Sequence, residues 1–212
     1  MATRAAEPRV ALIGPNAITR IAEALTTGHG IAETQAVFAR ARIAHYIDTP
    51  PRVMVPEDDF AALYGALFAA VPLAQAQAVA RRAGTLTGDY LLRHRIPRVL
   101  QWLLPLLPPA WGAALLARAI SRHAWTFAGS GSFDWRRAGD GLQLTITGSP
   151  ACRHLHVQDP ACGYFAATFA RIFSGVLGRA VTVTEHHCAA AGADCCRFNL
   201  RWQGGRRHQS QN

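Results

Sequence analysis

The chain has 212 residues, half of them hydrophobic and only 17% charged, so it can build a substantial core and wholesale disorder is excluded. Its formal net charge is +9, with 22 Lys+Arg against 13 acids, and every one of those basic residues is Arg. The arginines are spread out, with no run of five or more, which argues against a nucleic-acid binder; Arg instead suits a ligand with carboxylates, which it meets bidentately.

Residues 1–8 read as a loose tail with no signal-peptide pattern. Asn16 is placed to cap a helix running to about Thr27, with Ile18, Ile21 and Leu25 on one face. Gly28 and Gly30 break it, and a second helix carries Ile31, Val37 and Phe38. Pro56 followed by Glu57, Asp58 and Asp59 predicts another helix start, with acids in the first turn. Pro72 opens a long helix to about Arg95, Pro97 one containing Trp102, and Pro108-Pro109 one containing Trp111 and ending near His123. The apolar stretch from Val99 to Ile120 is interrupted by Pro105, Pro108 and Pro109 and bracketed by Arg98 and Arg118. It is not expected to span a membrane and leaves at most peripheral membrane contact.

From Trp125 the pattern changes to period two. Phe133 and Trp135 mark one strand, Leu142, Leu144 and Ile146 the next, and Asp140-Gly141 supplies turn chemistry between them. A third strand is expected over Ala151–Val157, with His154 and His156 on one face. Phe165, Phe169, Ile172, Phe173 and Val176 form a helical stripe, followed by strands over Ala180–His187 and Cys195–Trp202. The expected class is α+β: a helical part over 1–124, a small antiparallel sheet with one helix over 125–202, and a disordered tail over 203–212.

The five cysteines are odd in number and two are adjacent, which argues against a disulfide framework and for a reducing, cytoplasmic setting. In a strand from Cys195 the even positions Cys196, Phe198, Leu200 and Trp202 form the apolar face, so Cys196 rather than Cys195 points inward. Glu185 and Cys188 have opposite parity, so the chain must turn between them to face one point, and Gly192 can help it fold back. Cys162 opens a helix, where the dipole favours a thiolate. Three thiols and a carboxylate from helix, strand and strand suit one tetrahedral zinc ion; His186 or His187 can replace Glu185 on geometry alone, and the bland alternative is that these cysteines are small buried hydrophobes. Cys152 and Cys195 read as buried or free thiols.

The pattern Cys162-Gly163-Tyr164, Glu185-x-x-Cys188 and Cys196-x-Phe198 resembles the 4-vinyl reductase domain family over about residues 125–202. The same domain is the ligand-sensing part of some aromatic-responsive transcription activators. The resemblance implies a structural zinc on Cys162, Glu185, Cys188 and Cys196. The overall layout is similar to the stand-alone family members of bacteriochlorophyll biosynthesis, and the family name implies reduction of a vinyl group on a (proto)chlorophyllide.

The residues themselves offer little for hydride chemistry: there is no G-x-G-x-x-G after a strand. A binding role fits better, since the resemblance implies an aromatic or hydrophobic ligand held between helices and sheet. Trp102, Trp111, Trp125, Phe127, Phe133 and Trp135 are the candidate walls, Arg122 (with Arg93, Arg95, Arg98 and Arg118) the candidate partner of propionates, and His123 or His94 the candidate contact for a ring-bound magnesium. The expected activity is that of a carrier of a porphyrin or chlorophyll intermediate, serving enzymes such as magnesium chelatase. Vinyl reduction and small-aromatic sensing are the alternatives, and a homodimer is the expected assembly.

Overall fold

The structure is a computed structural model and describes residues 10–203; the expected tails over 1–8 and 203–212 lie outside that range except for Gln203. A short strand β1 (Leu12–Ile13) leads into helix α1 (Asn16–Arg40), followed by α2 (His45–Asp48) and β2 (Val55–Pro56), which pairs antiparallel with β1. Then come α3 (Glu57–Ala70), α4 (Leu73–His94), α5 (Arg98–Leu103), a 3-10 turn at Leu104–Leu106, α6 (Pro109–Arg122) and α7 (Trp125–Ala128). The remainder is β3 (Ser132–Ala138), β4 (Gly141–Thr147), a 3-10 turn at Pro150–Cys152, α8 (Gly163–Leu177), β5 (Val181–His187), a 3-10 turn at Ala189–Ala191, and β6 (Cys196–Trp202). The class is therefore α+β, as the period change predicts.

The four later strands form one antiparallel sheet in the order β3-β4-β6-β5. Phe133 sits opposite Ile146, Trp135 opposite Leu144, and Phe198 opposite Leu144 on the other side, so one face collects the large apolar residues. Helix α8 lies between this face and α4. Towards the sheet it sends Phe169, whose ring meets those of Phe133 (5.7 Å) and Phe198 (5.9 Å). Towards α4 the approach is unusually close: a Cβ at Gly84 would lie 2.1 Å from the Tyr164 carbonyl oxygen, and one at Gly88 would lie 2.7 Å from Arg171 Cβ. The Thr168 hydroxyl donates to the Gly84 carbonyl at 3.1 Å, and Tyr164 and Thr87 share a buried hydroxyl–hydroxyl bond of 3.0 Å. The two glycines let the helices come near enough for these bonds to form.

Several local expectations change. Asn16 lies within α1 and makes no side-chain capping bond; Pro15 precedes the helix. The break expected at Gly28 and Gly30 is present: Gly30, at φ +85°, is non-helical and divides α1 into two helices at a kink, the second running on to Arg40. Trp125 begins one more helical turn, which ends at Gly129 (φ +59°), and the period-two pattern starts only at Ser132. The β3–β4 turn is Gly139-Asp140, with Gly139 at φ +54°. Gly141 is instead a buried strand residue, where a Cβ would meet the Leu200 carbonyl oxygen at 1.9 Å.

No strand covers Ala151–Val157. Pro150 starts a 3-10 turn there, and the next N–H groups go elsewhere: Leu155 donates to Cys152 C=O and Val157 to Ala190 C=O. Leu155 is buried between exposed His154 and His156, so burial alternates without a ladder.

Replacing Gly84 by Val would force α4 from α8. A loss of about 1–3 kcal/mol or more is expected, read as a lower urea midpoint at unchanged m-value. The same change at Gly28, which has open space around its Cβ position, should cost less than half as much.

Candidate metal centre

Four cysteines converge at one end of the sheet. Cys162 is the residue immediately before α8, Cys196 opens β6, Cys188 follows β5, and Cys152 closes the 3-10 turn before α8. Their sulfur atoms all lie within 4.8 Å of one another. Cys152 Sγ is 3.3 Å from Cys162 Sγ and 3.4 Å from Cys196 Sγ; Cys162 Sγ is 3.4 Å from Cys196 Sγ and 3.9 Å from Cys188 Sγ. None is in a disulfide. Three of the four are buried and Cys152 is half-buried.

Each sulfur is aimed by a local feature. Cys196 shares the inward face of β6 with Phe198 and Leu200, as parity predicts. Between Glu185 and His187 the β5–β6 register slips, with Glu185 opposite Phe198 and His187 opposite Arg197. This bulge inserts His186, resets the side-chain alternation, and lets Glu185 and Cys188 address the same region. Gly192, at φ +91°, then reverses the chain into β6. The Ala189 N–H points at Cys196 Sγ at 3.5 Å, a backbone donor suited to a thiolate.

Around the thiols, the Cys162 segment is held from both sides. The Cys162 N–H donates to Glu185 Oε2 at 2.7 Å, and the Tyr64 hydroxyl of α3 donates to the Ala161 carbonyl at 2.7 Å. The Cys152 turn is tied down by the next residue: Arg153 bonds Glu57 at 2.7 Å and also pairs with Asp58. Burial alone would raise the Glu57 pKa, but bonds from the Ser130 N–H, Arg153 and the Ser130 hydroxyl outweigh it and hold the carboxyl below its ordinary value.

Of the residues expected to hold a metal, Cys162, Cys188 and Cys196 stand in the sulfur cluster. Glu185 lies beside it, one oxygen on the Cys162 N–H and the other, Oε1, buried without a hydrogen-bond partner. Cys152, read as a buried or free thiol, is the fourth sulfur. The expectation of a strand over Ala151–Val157 concealed it, because an extended Cys152 would point away from a site ten residues later. Cys195 is buried outside the cluster, and His186 and His187 are exposed. The unpaired Oε1 and four crowded thiols fit the loss of protons to a cation: four cysteines are positioned to hold a metal ion.

The thiols shift one another in opposite directions, Cys152 and Cys188 down and Cys162 and Cys196 up. Hydrogen bonding with Cys152 and the other thiols, followed by burial, pushes Cys162 well up. Hydrogen bonds from Cys152, Cys162 and Cys196 pull Cys188 down. Burial, then the charge on Cys188, pushes Glu185 up to about 8.

The candidate ligand wall divides. Phe127 is half-buried and meets Phe133 at 5.5 Å and Phe169 at 6.0 Å, inside the helix–sheet layer, and half-buried Trp135 packs against the same core. Trp102 and Trp125 are exposed, as are Arg122 and His123. A cleft of about 320 Å³ lies elsewhere, between α4, α5 and α8, lined by Asp89, Arg93, Arg98, Gln101 and Arg171.

Metal-stripped protein should lose stability as pH rises from about 4.5 to about 8. The folded chain retains a Glu185 proton that the unfolded chain releases, so this contribution is whole below about 4.5 and is lost as pH climbs through about 8. Urea unfolding of the stripped protein across this range, beside Glu185→Gln, tests it; an equal slope in both would refute the assignment.

Comparison with known proteins places these features in a family. The V4R domain model matches residues 142–201, which include α8, β5, all but one residue of each of β4 and β6, and all four cluster cysteines. The "Bacteriochlorophyll synthase 23 kDa chain" of Cereibacter sphaeroides is 38% identical over 192 residues, covering 91% of each chain. The protein of the same name from Rhodobacter capsulatus is 37% identical, covering 93% of this chain and 89% of the relative. Among solved structures, an Fe(II) unliganded H-NOX protein mutant from K. algicida superposes with a TM-score of 0.61 at 10% identity, covering 92% of this chain and 98% of that one, which is a likeness of fold. With a V4R domain and this identity over nearly its whole length, the chain belongs to the family of the bacteriochlorophyll synthase 23 kDa chains.

Proposed function

We propose that the protein is a zinc-stabilised binding protein of bacteriochlorophyll biosynthesis. It carries a porphyrin or chlorophyll-type intermediate and presents it to magnesium-branch enzymes such as magnesium chelatase. The observation that carries the reading is the 37–38% identity, over 91–93% of this chain, with proteins named as chains of bacteriochlorophyll synthase. The layer of Phe127, Phe133, Phe165, Phe169 and Phe198 between α8 and the sheet supports it, because tilted and edge-on phenyl rings suit a flat apolar guest. A guest of porphyrin size requires those rings to part.

Zinc is favoured by the chemistry of the donors. Thiolates select zinc, Cu(I) or iron–sulfur clusters over harder ions. Zn–S bonds of ~2.3 Å set tetrahedral sulfurs about 3.8 Å apart. Four of the sulfur separations run from 3.3 to 3.9 Å and all six lie within 4.8 Å, so little movement is needed to reach that. On this reading Cys152, Cys162, Cys188 and Cys196 close the coordination sphere, and Glu185 orients the Cys162 peptide from outside it. The site then staples α8 to the sheet and offers no open position for catalysis. The V4R name favours a second reading, reduction of a vinyl group, which needs an electron donor from elsewhere.

Titrating the protein with protoporphyrin and its magnesium complex should quench or shift pigment fluorescence with a 1:1 end point. Unchanged spectra at micromolar pigment would refute the carrier, and conversion of divinyl to monovinyl pigment in a parallel assay with added reductant would establish the reductase.

X-ray absorption at the zinc edge should give four sulfur neighbours. Three sulfurs and one oxygen would instead assign the fourth position to Glu185, the set Cys162, Glu185, Cys188 and Cys196. Elemental analysis without zinc would remove the staple altogether.

A further inference from the structure

Between Tyr90 and Phe133 the chain contains no Asp or Glu, yet it contains Arg93, Arg95, Arg98, Arg118 and Arg122. The same stretch carries an unusual exposed apolar surface. Helix α5 buries none of its residues, and Trp102 is 75% exposed. Leu106 follows at 80% and Trp111 at 64%, with Leu103 and Leu115 also exposed.

Helix α6 explains how the two characters combine. It buries Gly112, Ala113, Leu116 and Ala117 against the body of the protein. On the opposite side Trp111, Leu115, Arg118 and Arg122 fall at i, i+4, i+7 and i+11, one stripe that runs from apolar to cationic. Both α5 and α6 pack on α8, so the surface is anchored to the central helix. Pro97, Pro105, Pro108 and Pro109 cut the segment into short pieces, and no helix among the described residues is long and apolar enough to cross a membrane.

The charge beside this surface lacks internal partners. In the cleft between α4, α5 and α8, Arg171 pairs with Asp89 at 2.7 Å. Arg93 and Arg98 line the same cleft, and among the described residues neither they nor Arg118 and Arg122 form an ion pair. Exposed Trp and Leu rimmed by arginines, the neighbouring Asp89 being already paired with Arg171, match the boundary between acyl chains and phosphates in a negatively charged bilayer. There Trp rings sit at the headgroup level and arginines reach the phosphates.

We propose that the α5–α6 surface docks the protein on anionic membranes. Trp102, Leu103, Leu106 and Trp111 enter the headgroup–acyl boundary, and Arg93, Arg98, Arg118 and Arg122 bind lipid phosphates around them. The inference requires neither the zinc nor the pigment reading.

The full chain is mixed with vesicles of phosphatidylcholine, alone or with one quarter phosphatidylglycerol, and floated on a density gradient. Flotation with the anionic vesicles only, a blue shift of tryptophan fluorescence, and at least about tenfold weaker binding at 1 M than at 0.05 M salt are expected. The triple variant W102S/L106S/W111S should stay at the bottom of the gradient, and R93Q/R98Q/R118Q/R122Q should lose the preference for anionic lipid. All seven positions are exposed, so circular dichroism and thermal melting should match the native chain. Failure to float with either vesicle, equal flotation with both, or unimpaired flotation of the triple variant would overturn the proposal. So would a native dimer that fails to float and that W102S/L106S/W111S converts to monomers, which would assign the surface to a second copy of the chain.

Discussion

The convergence of four thiols is the constraint on which the C-terminal half depends. The sulfurs come from a 3-10 turn, the residue before a helix, the residue after a strand and the first residue of another strand. These are the places where backbone hydrogen bonding is weakest, because helix ends leave donors unpaired and strands stop pairing. Side-chain chemistry at such points supplies order that the ladders do not. The β5 bulge shows the same priority: regular pairing is given up at one residue so that Glu185 and Cys188 both serve the centre.

The centre is tied to the rest of the fold through α8. Cys162 stands at the start of that helix, and the helix is fixed by its close approach to α4 at Gly84 and Gly88. Tyr64 on the Ala161 carbonyl and Arg153 on Glu57 add two links from α3 to the segments bearing Cys162 and Cys152. A small apolar core thus acts as the frame, and polar bonds at its edges set where the sulfurs stand. The core itself runs without interruption from Ile13 to Leu200, across the helical part and the sheet.

The aromatic residues sort by chemistry. Phenylalanines, which have no polar atom to satisfy, fill the layer between α8 and the sheet. Trp102, Trp111 and Trp125, whose indole N–H groups need a partner, stand outside on α5, α6 and α7. The interior is thus rich in phenylalanine and the exterior is edged with tryptophan and arginine.

Much of the architecture was legible in the amino-acid order. Proline positions marked the starts of α3, α4, α5 and α6, and alternation at Leu142, Leu144 and Ile146 marked β4, because these signals are local and act within a few residues. Parity alone put Cys196 inward and required a turn between Glu185 and Cys188. The place of Cys152 was not legible: alternating burial around Leu155 imitates a strand, and only the absence of a pairing partner shows that it is a turn. Nor could spacing separate the interior Phe127 and Phe133 from the exposed Trp102 and Trp125, since each side chain's surroundings are set by elements far away in the chain. Sequence by itself marked the starts of α3 to α6, the order β3, β4, α8, β5, β6, and three of the four clustered cysteines as candidates, while β1, β2, α2 and α7 carried no such signal. Tertiary packing decided the fourth sulfur and which aromatic residues face water, because both depend on contacts between distant segments.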